Sequence, residues 1–243
     1  MIYVMSDIHG NQRRFESVMK QIDLQPEDTL YVLGDVIDRH SDGIRILRKL
    51  MNMPNVKMLI GNHELMMLDV LCSDANENSL AAWFPLSRWY NNGGGVTHNY
   101  LKHIRKSIRI EIVEFLKTLP LSYDIEVNDQ QYKLVHAAPP ELYLQYHYQF
   151  SDARMFAVWK RWKENEFHET DYIMIFGHTP TMEYSDSYPL KIWYGDHMIA
   201  IDCGSGFPSY LDLGGRLACL RLDDMKEFYS EKEEDDFYES AGN

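Results

Sequence analysis

Carboxylates, imidazoles and one carboxamide stand directly after short apolar runs along this chain: Asp7 and His9, Asp35, Asn62, His136 and His178. Together these side chains are the donor set of borderline or hard divalent ions such as Mn, Fe or Zn. Six donors exceed what one tetrahedral ion takes. Two ions sharing Asp35 would use them all, at the roughly 3.5–4 Å separation of two-metal hydrolases. A single histidine beside a strand is more often a hydrogen-bonded core residue than a ligand. Repetition at five strand ends argues for the ligand reading. The stretch Leu33-Gly34-Asp35-Val36-Ile37-Asp38-Arg39-His40 adds two carboxylates and a guanidinium beside a core, where unpaired charge is costly. Asp35 is read there as the bridge between ions, Asp38 as the partner of a catalytic histidine, and Arg39 as a phosphate holder.

Elements that place these residues follow from the apolar spacing. Strands are predicted over Ile2 to Met5, Thr29 to Leu33 and Val56 to Ile60. Each runs into a polar motif and then a helix: Phe15 to Ile22 behind an Asn11 cap, Ile44 to Met51, and a Leu/Met-rich helix to about Leu71. This alternation argues for an α/β fold with mostly parallel strands, whose ligands collect beyond the carboxyl ends. Residues 72–107 break the rhythm with Trp83, Phe84, Trp89, Tyr90 and the run Asn91 to Gly95, and are read as a cap or insertion. The glycines lack the Lys-Ser/Thr of a P-loop, and a turn ending a helix is their simple reading. A helix follows over Ile108 to Leu119, then a hairpin around Asn128-Asp129 that ends in His136. Residues 139 to 150 read as irregular, and a helix carries Met155 to Trp162. Strands are expected over Tyr172 to Phe176, Trp193-Tyr194, Met198 to Ile201 and Arg216 to Leu222. Domain limits follow: one catalytic domain over 1–222 and a solvated acidic tail over 223–243.

The chain has 243 residues, 45% of them apolar and 25% charged, enough for one sizeable core. A net charge of −13 disfavours nucleic acid and anionic membranes as partners. Cys72, Cys203 and Cys219 form no CxxC pair and read as reduced thiols of a cytoplasmic protein. No apolar run is long enough to span a membrane, and the first residues do not read as a signal peptide. No cysteine is followed six residues later by arginine, and no Asp-x-Asp-x-Thr/Val or Gly-x-Ser-x-Gly motif occurs, so chemistries built on a cysteine, aspartate or serine nucleophile find no support.

In order, Asp7-Ile8-His9-Gly10, Gly34-Asp35 with Asp38-Arg39, Gly61-Asn62-His63-Glu64, His136-Ala137 and Gly177-His178-Thr179-Pro180 resemble the motif set of the calcineurin-like metallophosphoesterases. More narrowly they resemble the phosphoprotein phosphatase (PPP) family and its small phage and bacterial serine/threonine phosphatases. The Asn92-Gly93-Gly94 step, Trp159-Lys160-Arg161 and Ile201-Asp202-Cys203-Gly204 are also similar to that subgroup. The resemblance implies a β-sandwich of two mixed sheets flanked by helices, with a dinuclear metal site at the strand C-terminal ends. It implies that Asp7 and His9 hold one ion, that Asn62, His136 and His178 hold the other, and that Asp35 bridges them. Two Mn2+ ions are expected, with Fe or Zn as alternatives. His63 would be the general acid, oriented by Asp38, and Arg39 and Arg161 would clamp the phosphoryl group, with Arg154 as fallback. The implied reaction is hydrolysis of phosphomonoesters by in-line attack of a metal-bridging hydroxide, in a serine/threonine or dual-specificity protein phosphatase. The alternative is a symmetrical bis(5'-nucleosyl)-tetraphosphatase or another small-molecule phosphoesterase. Asp38 and Glu64 favour the protein phosphatases by motif likeness. Ser6 and His40 replace glycines common in the family; if His40 needs a positive φ, histidine adopts it at modest cost.

Overall fold

Strand alternation builds the layers of this computed structural model, which describes residues 1–73, 79–164, 166 and 170–231. In β1 (Ile2–Met5), Tyr3 and Met5 face one core and Val4 the other. After α1 (Gln12–Ile22) the pattern repeats in β2 (Thr29–Val32), with Leu30 and Val32 on the first side and Tyr31 on the second. Next come α2 (Gly43–Leu50), β3 (Val56–Met58) and α3 (Asn62–Leu71). Residues 72–107 contain two helices, α4 (Leu80–Asn91) and α5 (Gly95–Lys102), which lead to α6 (Lys106–Lys117). The predicted hairpin is β4 (Ser122–Val127) with β5 (Gln130–Val135). The stretch read as irregular forms a turn of 3-10 helix and the short α7 (Tyr143–Tyr146). Then follow α8 (Ala153–Trp159), β6 (Ile173–Phe176), β7 (Trp193–Gly195), β8 (Met198–Ala200) and β9 (Ala218–Arg221).

The chain does not leave the domain at Leu222. Arg221 pairs with Asp224 at 2.6 Å across a turn, and β10 (Lys226–Tyr229) runs back antiparallel to β9 with Phe228 buried. The acidic composition hid this edge strand, in which one buried aromatic among charges suffices for a half-exposed position. The rest of the expected tail, 232–243, lies outside the described residues.

Two mixed five-stranded sheets result, in the orders β10-β9-β1-β2-β3 and β4-β5-β6-β8-β7. Between them lies a core of Val4, Tyr31, Leu33 and Leu59 against Leu134, Ile175, Ile199 and Ile201. Outside the first sheet, Phe15, Val18, Leu47, Leu65 and Leu116 cover it with helices; outside the second, Phe156 and Trp162 pack on Met174 and Phe176. The layers are helix, sheet, sheet, helix, as the resemblance implies.

Candidate active site

β1, β2 and β3 are parallel to one another, and so are β5, β6 and β8. Six carboxyl ends, three from each sheet, therefore open at one edge of the sandwich. The turns there are strained. Asp7 (φ 53), His9 (φ 51), Asp35 (φ 52), Asp38 (φ 72), Arg39 (φ 65) and His178 (φ 62) all adopt left-handed backbone. Each costs about 1–2 kcal/mol and persists only where its surroundings over-determine it. Asp7 N donates to Gly34 O at 3.2 Å, His9 N to Asp35 O at 2.9 Å and Gly10 N to Val36 O at 2.8 Å. The buried Glu64 carboxylate accepts from the backbone N–H of Asp35 and Val36 (2.8 Å each), Gly61 (3.1 Å) and Ile37 (3.3 Å). Gly34 (φ 96) passes so close to Gly61 that a Cβ would stand 2.6 Å from its Cα.

Acceptors converge at this edge. His9 Nδ1 lies 3.2 Å from Ile37 O and His136 Nδ1 2.7 Å from Leu33 O. A carbonyl only accepts, so each Nδ1 carries the proton and each Nε2 presents a lone pair. His9 Nε2 faces Asp7 Oδ1 and Asp35 Oδ2, both at 3.7 Å. His136 Nε2 faces Asn62 Oδ1 at 2.9 Å and Asp35 Oδ1 at 3.6 Å, and His178 Nδ1 meets the same Asn62 oxygen at 2.9 Å. Burial holds His9, His136 and His178 below the usual imidazole range, with Arg39 adding to the effect on His9 and Arg161 to that on the other two. Burial and the repulsion of Asp202 and Asp35 raise Asp7 well above the carboxylate range, and burial lifts Asp35 to about 7. Imidazole nitrogens, carboxylates and an amide oxygen converging in a buried cluster suit a cation, and these N/O donors fit the Mn, Fe and Zn class. His9, Asp35 and His63 form one group and Asp35, His136 and His178 another, each with donor atoms within 4.8 Å. Asp35 belongs to both.

Beside this cluster, His63 Nδ1 lies 2.7 Å from Asp38 Oδ2, while its Nε2 faces Asp35 Oδ2 at 3.8 Å. Burial lowers His63 to about 4, against the pull of Asp35, and raises Asp38 to about 7, against hydrogen bonds from Thr97 and Trp89. Arg39 is exposed and lines a cleft of about 700 Å³ with Asn91, Asn92, Gly206, Phe207 and Tyr210. Arg161 is exposed as well, and its charge reaches His136, His178 and Asp202. Arg154 instead acts on Asp69 and Asp152.

Sequence reasoning gave no role to several residues here. Asp202, buried after β8, accepts from Gly204 N at 2.9 Å and repels Asp7; its signal was the same carboxylate after an apolar strand. Trp89 and Thr97 bond Asp38 from a segment with no readable pattern. Ser6 Oγ donates to Asp7 Oδ2 at 2.5 Å. The positive φ considered for His40 falls on Asp38 and Arg39 instead; His40 N donates to Asp38 O at 2.8 Å and His9 O at 3.1 Å.

Known proteins share this architecture. The calcineurin-like phosphoesterase family matches over residues 1–197. Serine/threonine-protein phosphatase 2 of Salmonella typhimurium is 31% identical over 145 residues, which is 58% of this chain and 59% of that protein. The chain thus spans less than two thirds of that relative's length. The symmetrical bis(5'-nucleosyl)-tetraphosphatase of Proteus mirabilis is 23% identical and aligns with 93% of this chain and 96% of its own. Among solved structures, a Saccharomyces cerevisiae serine/threonine phosphatase with similarity to human PP5 superposes at TM-score 0.57 and 16% identity, covering 97% of this chain and 81% of that one. A metallophosphoesterase of Sphaerobacter thermophilus gives TM-score 0.56 at 16% identity, with coverage of 96% and 88%. These two likenesses concern the fold. The family match, which runs from the first strand past the fifth strand-end motif, assigns the chain to the calcineurin-like phosphoesterases.

Proposed function

We propose that this chain is a dinuclear metal-dependent phosphomonoester hydrolase acting on phosphoserine and phosphothreonine in proteins. The observation that carries the reading is the convergence of neutral imidazoles and carboxylates beside a bonded His63–Asp38 pair. Asp7 and His9 hold one ion, Asn62, His136 and His178 the other, and Asp35 both. When bound, the two ions supply positive charge for phosphoryl oxygens and lower the pKa of a water toward neutrality. Arg39 and Arg161 offer planar guanidinium forks to the remaining oxygens. Asp38 accepts the Nδ1–H of His63, which fixes the tautomer and leaves Nε2 to handle a proton. A phosphoryl dianion arriving beside Nε2 opposes the burial that keeps His63 low, so Nε2 can carry the proton that the leaving alkoxide takes up.

The Salmonella relative and the Asp38–His63 bond support the protein-phosphatase branch; the length of the Proteus alignment supports the tetraphosphatase as second reading. Assays with Mn, Fe, Zn or Mg against phosphoserine, phosphothreonine and phosphotyrosine peptides and diadenosine tetraphosphate separate them. Fastest turnover of phosphoserine or phosphothreonine peptide, with Mn, is expected; fastest turnover of the tetraphosphate overturns the reading. His63→Asn should keep its bound metal and lose about 10²–10⁴-fold in kcat. Near-full kcat in that variant removes His63 from the acid role. Three cysteines free of disulfides suit a reducing compartment, the cytoplasm in this proposal, which cell fractionation checks. Among the described residues no helix is long and apolar enough to cross a membrane.

A further inference from the structure

The Asp38–Arg39 turn holds two consecutive left-handed residues, φ 72 and 65, and its bonds come from the α4–α5 segment. Asp38 N donates to Thr97 Oγ1 at 3.0 Å, Arg39 N to Gly93 O at 3.1 Å, and Trp89 Nε1 to Asp38 Oδ2 at 2.8 Å. That same Oδ2 accepts from His63 Nδ1 at 2.7 Å. A carboxylate turns easily about its last torsion, so one bond to an imidazole leaves its plane loosely defined. The Thr97 hydroxyl steadies the carboxyl, and a second donor on the same oxygen as the imidazole restricts it further.

Trp89 is placed to be that donor. Its side chain is fully buried, His98 stacks on it at 5.4 Å and 29°, and a Cβ at Gly94 would overlap its indole. The indole therefore cannot swing away from Asp38. Packing alone would account for a buried tryptophan; it does not account for an N–H aimed at the one carboxylate oxygen that holds the histidine. We infer that Trp89 is a positioning residue for His63: its indole N–H fixes the Asp38 carboxylate and, through it, the imidazole that protonates the leaving group. The inference rests on the acid role given to His63 above. It also makes the α4–α5 segment part of the site's framework, with the Asn92-Gly93-Gly94 step serving to seat the indole and to accept from Arg39.

The test compares two leaving groups. p-Nitrophenolate departs without a proton and the phenolate of phenyl phosphate departs poorly without one. Trp89→Phe keeps an aromatic ring and deletes the N–H. Its expected result is a kcat lower by about 10-fold on phenyl phosphate, near wild type on p-nitrophenyl phosphate, with KM and bound metal unchanged. Combined with His63→Asn, it should add no further loss. Equal losses on both substrates, or a further loss in the double variant, overturn the inference. Should Trp89→Phe fail to fold, the benzothienyl analogue of tryptophan replaces N–H with sulfur at nearly constant volume and must show the same selectivity. If His63→Asn itself shows no leaving-group selectivity, the acid role fails, and the inference with it. If His63→Asn shows it and Trp89→Phe does not, only the inference fails.

Discussion

The two sheets furnish one edge by different means. The first delivers Asp7, His9, Asp35, Asp38 and Arg39 in left-handed backbone tied by a dense set of main-chain bonds, and Asn62 and His63 from the first turn of α3. The second delivers His136 straight from the end of a regular strand, aimed by its bond to Leu33 O, with strain confined to His178. The first half is aimed by stored strain that surrounding groups must hold, whereas the second is aimed largely by strand geometry. Substitutions around the first sheet should therefore act through support as well as through ligation.

The largest expected effect falls on the residue common to both. Asp35→Asn should lose at least one ion and essentially all turnover; metal analysis showing two ions at full occupancy would end the bridging role. The same variant probes strain of another kind. In chelated protein Asp35 binds its proton up to about 7 when folded, against an ordinary value of 3.8 when unfolded, so the folded state is the more protonated between them. The contribution of Asp35 to the stability of the chelated protein should then fall as pH rises through this window, so chelated Asp35→Asn should melt higher than wild type at pH 8, with the gap closing toward pH 4. An equal gap at both pH values contradicts the burial cost assigned to Asp35.

A chain ending at Leu222 loses β10 and Phe228 and should be less stable than one ending at Glu231 by about 3–5 kcal/mol in urea melts. Equal midpoints would mean that β10 adds nothing to the first sheet. Glu64→Gln places an amide donor against backbone donors at the Asp35 turn; about 2–3 kcal/mol of destabilisation and weaker metal affinity are expected from calorimetry. Unchanged metal affinity would show that the turn aims Asp35 without Glu64. The smallest effect is Ser6→Gly, which removes the bond to Asp7 Oδ2 and should cost about 0.5–1.5 kcal/mol.

Much of this edge was legible because strands announce themselves by apolar runs and ligands by the polar residue that follows. The order Asp7, His9, Asp35, Asn62, His136, His178 is the order of the strand ends. What escaped had no local signature. Thr97 is one threonine in a polar helix, Trp89 one of several clustered aromatics, and Pro85 inside α4 spoils the helical pattern that would have placed them. β10 escaped because its two aromatics, Phe228 and Tyr229, stand in acidic surroundings that read as a solvated tail. The left-handed φ of Asp38 and Arg39 is held by distant acceptors, Thr97 Oγ1 and Gly93 O, rather than by their own residue types.

β1 lies between β2 and β9 in the first sheet, and the pairing of Tyr3 with Arg221 joins nearly the two ends of the described chain. A ribosome-bound chain that stops before Ala218 thus carries every proposed ligand while its first sheet still lacks a neighbour of the central strand. Activity should appear during synthesis only once β9 has emerged, a delay that stalled chains of increasing length would time.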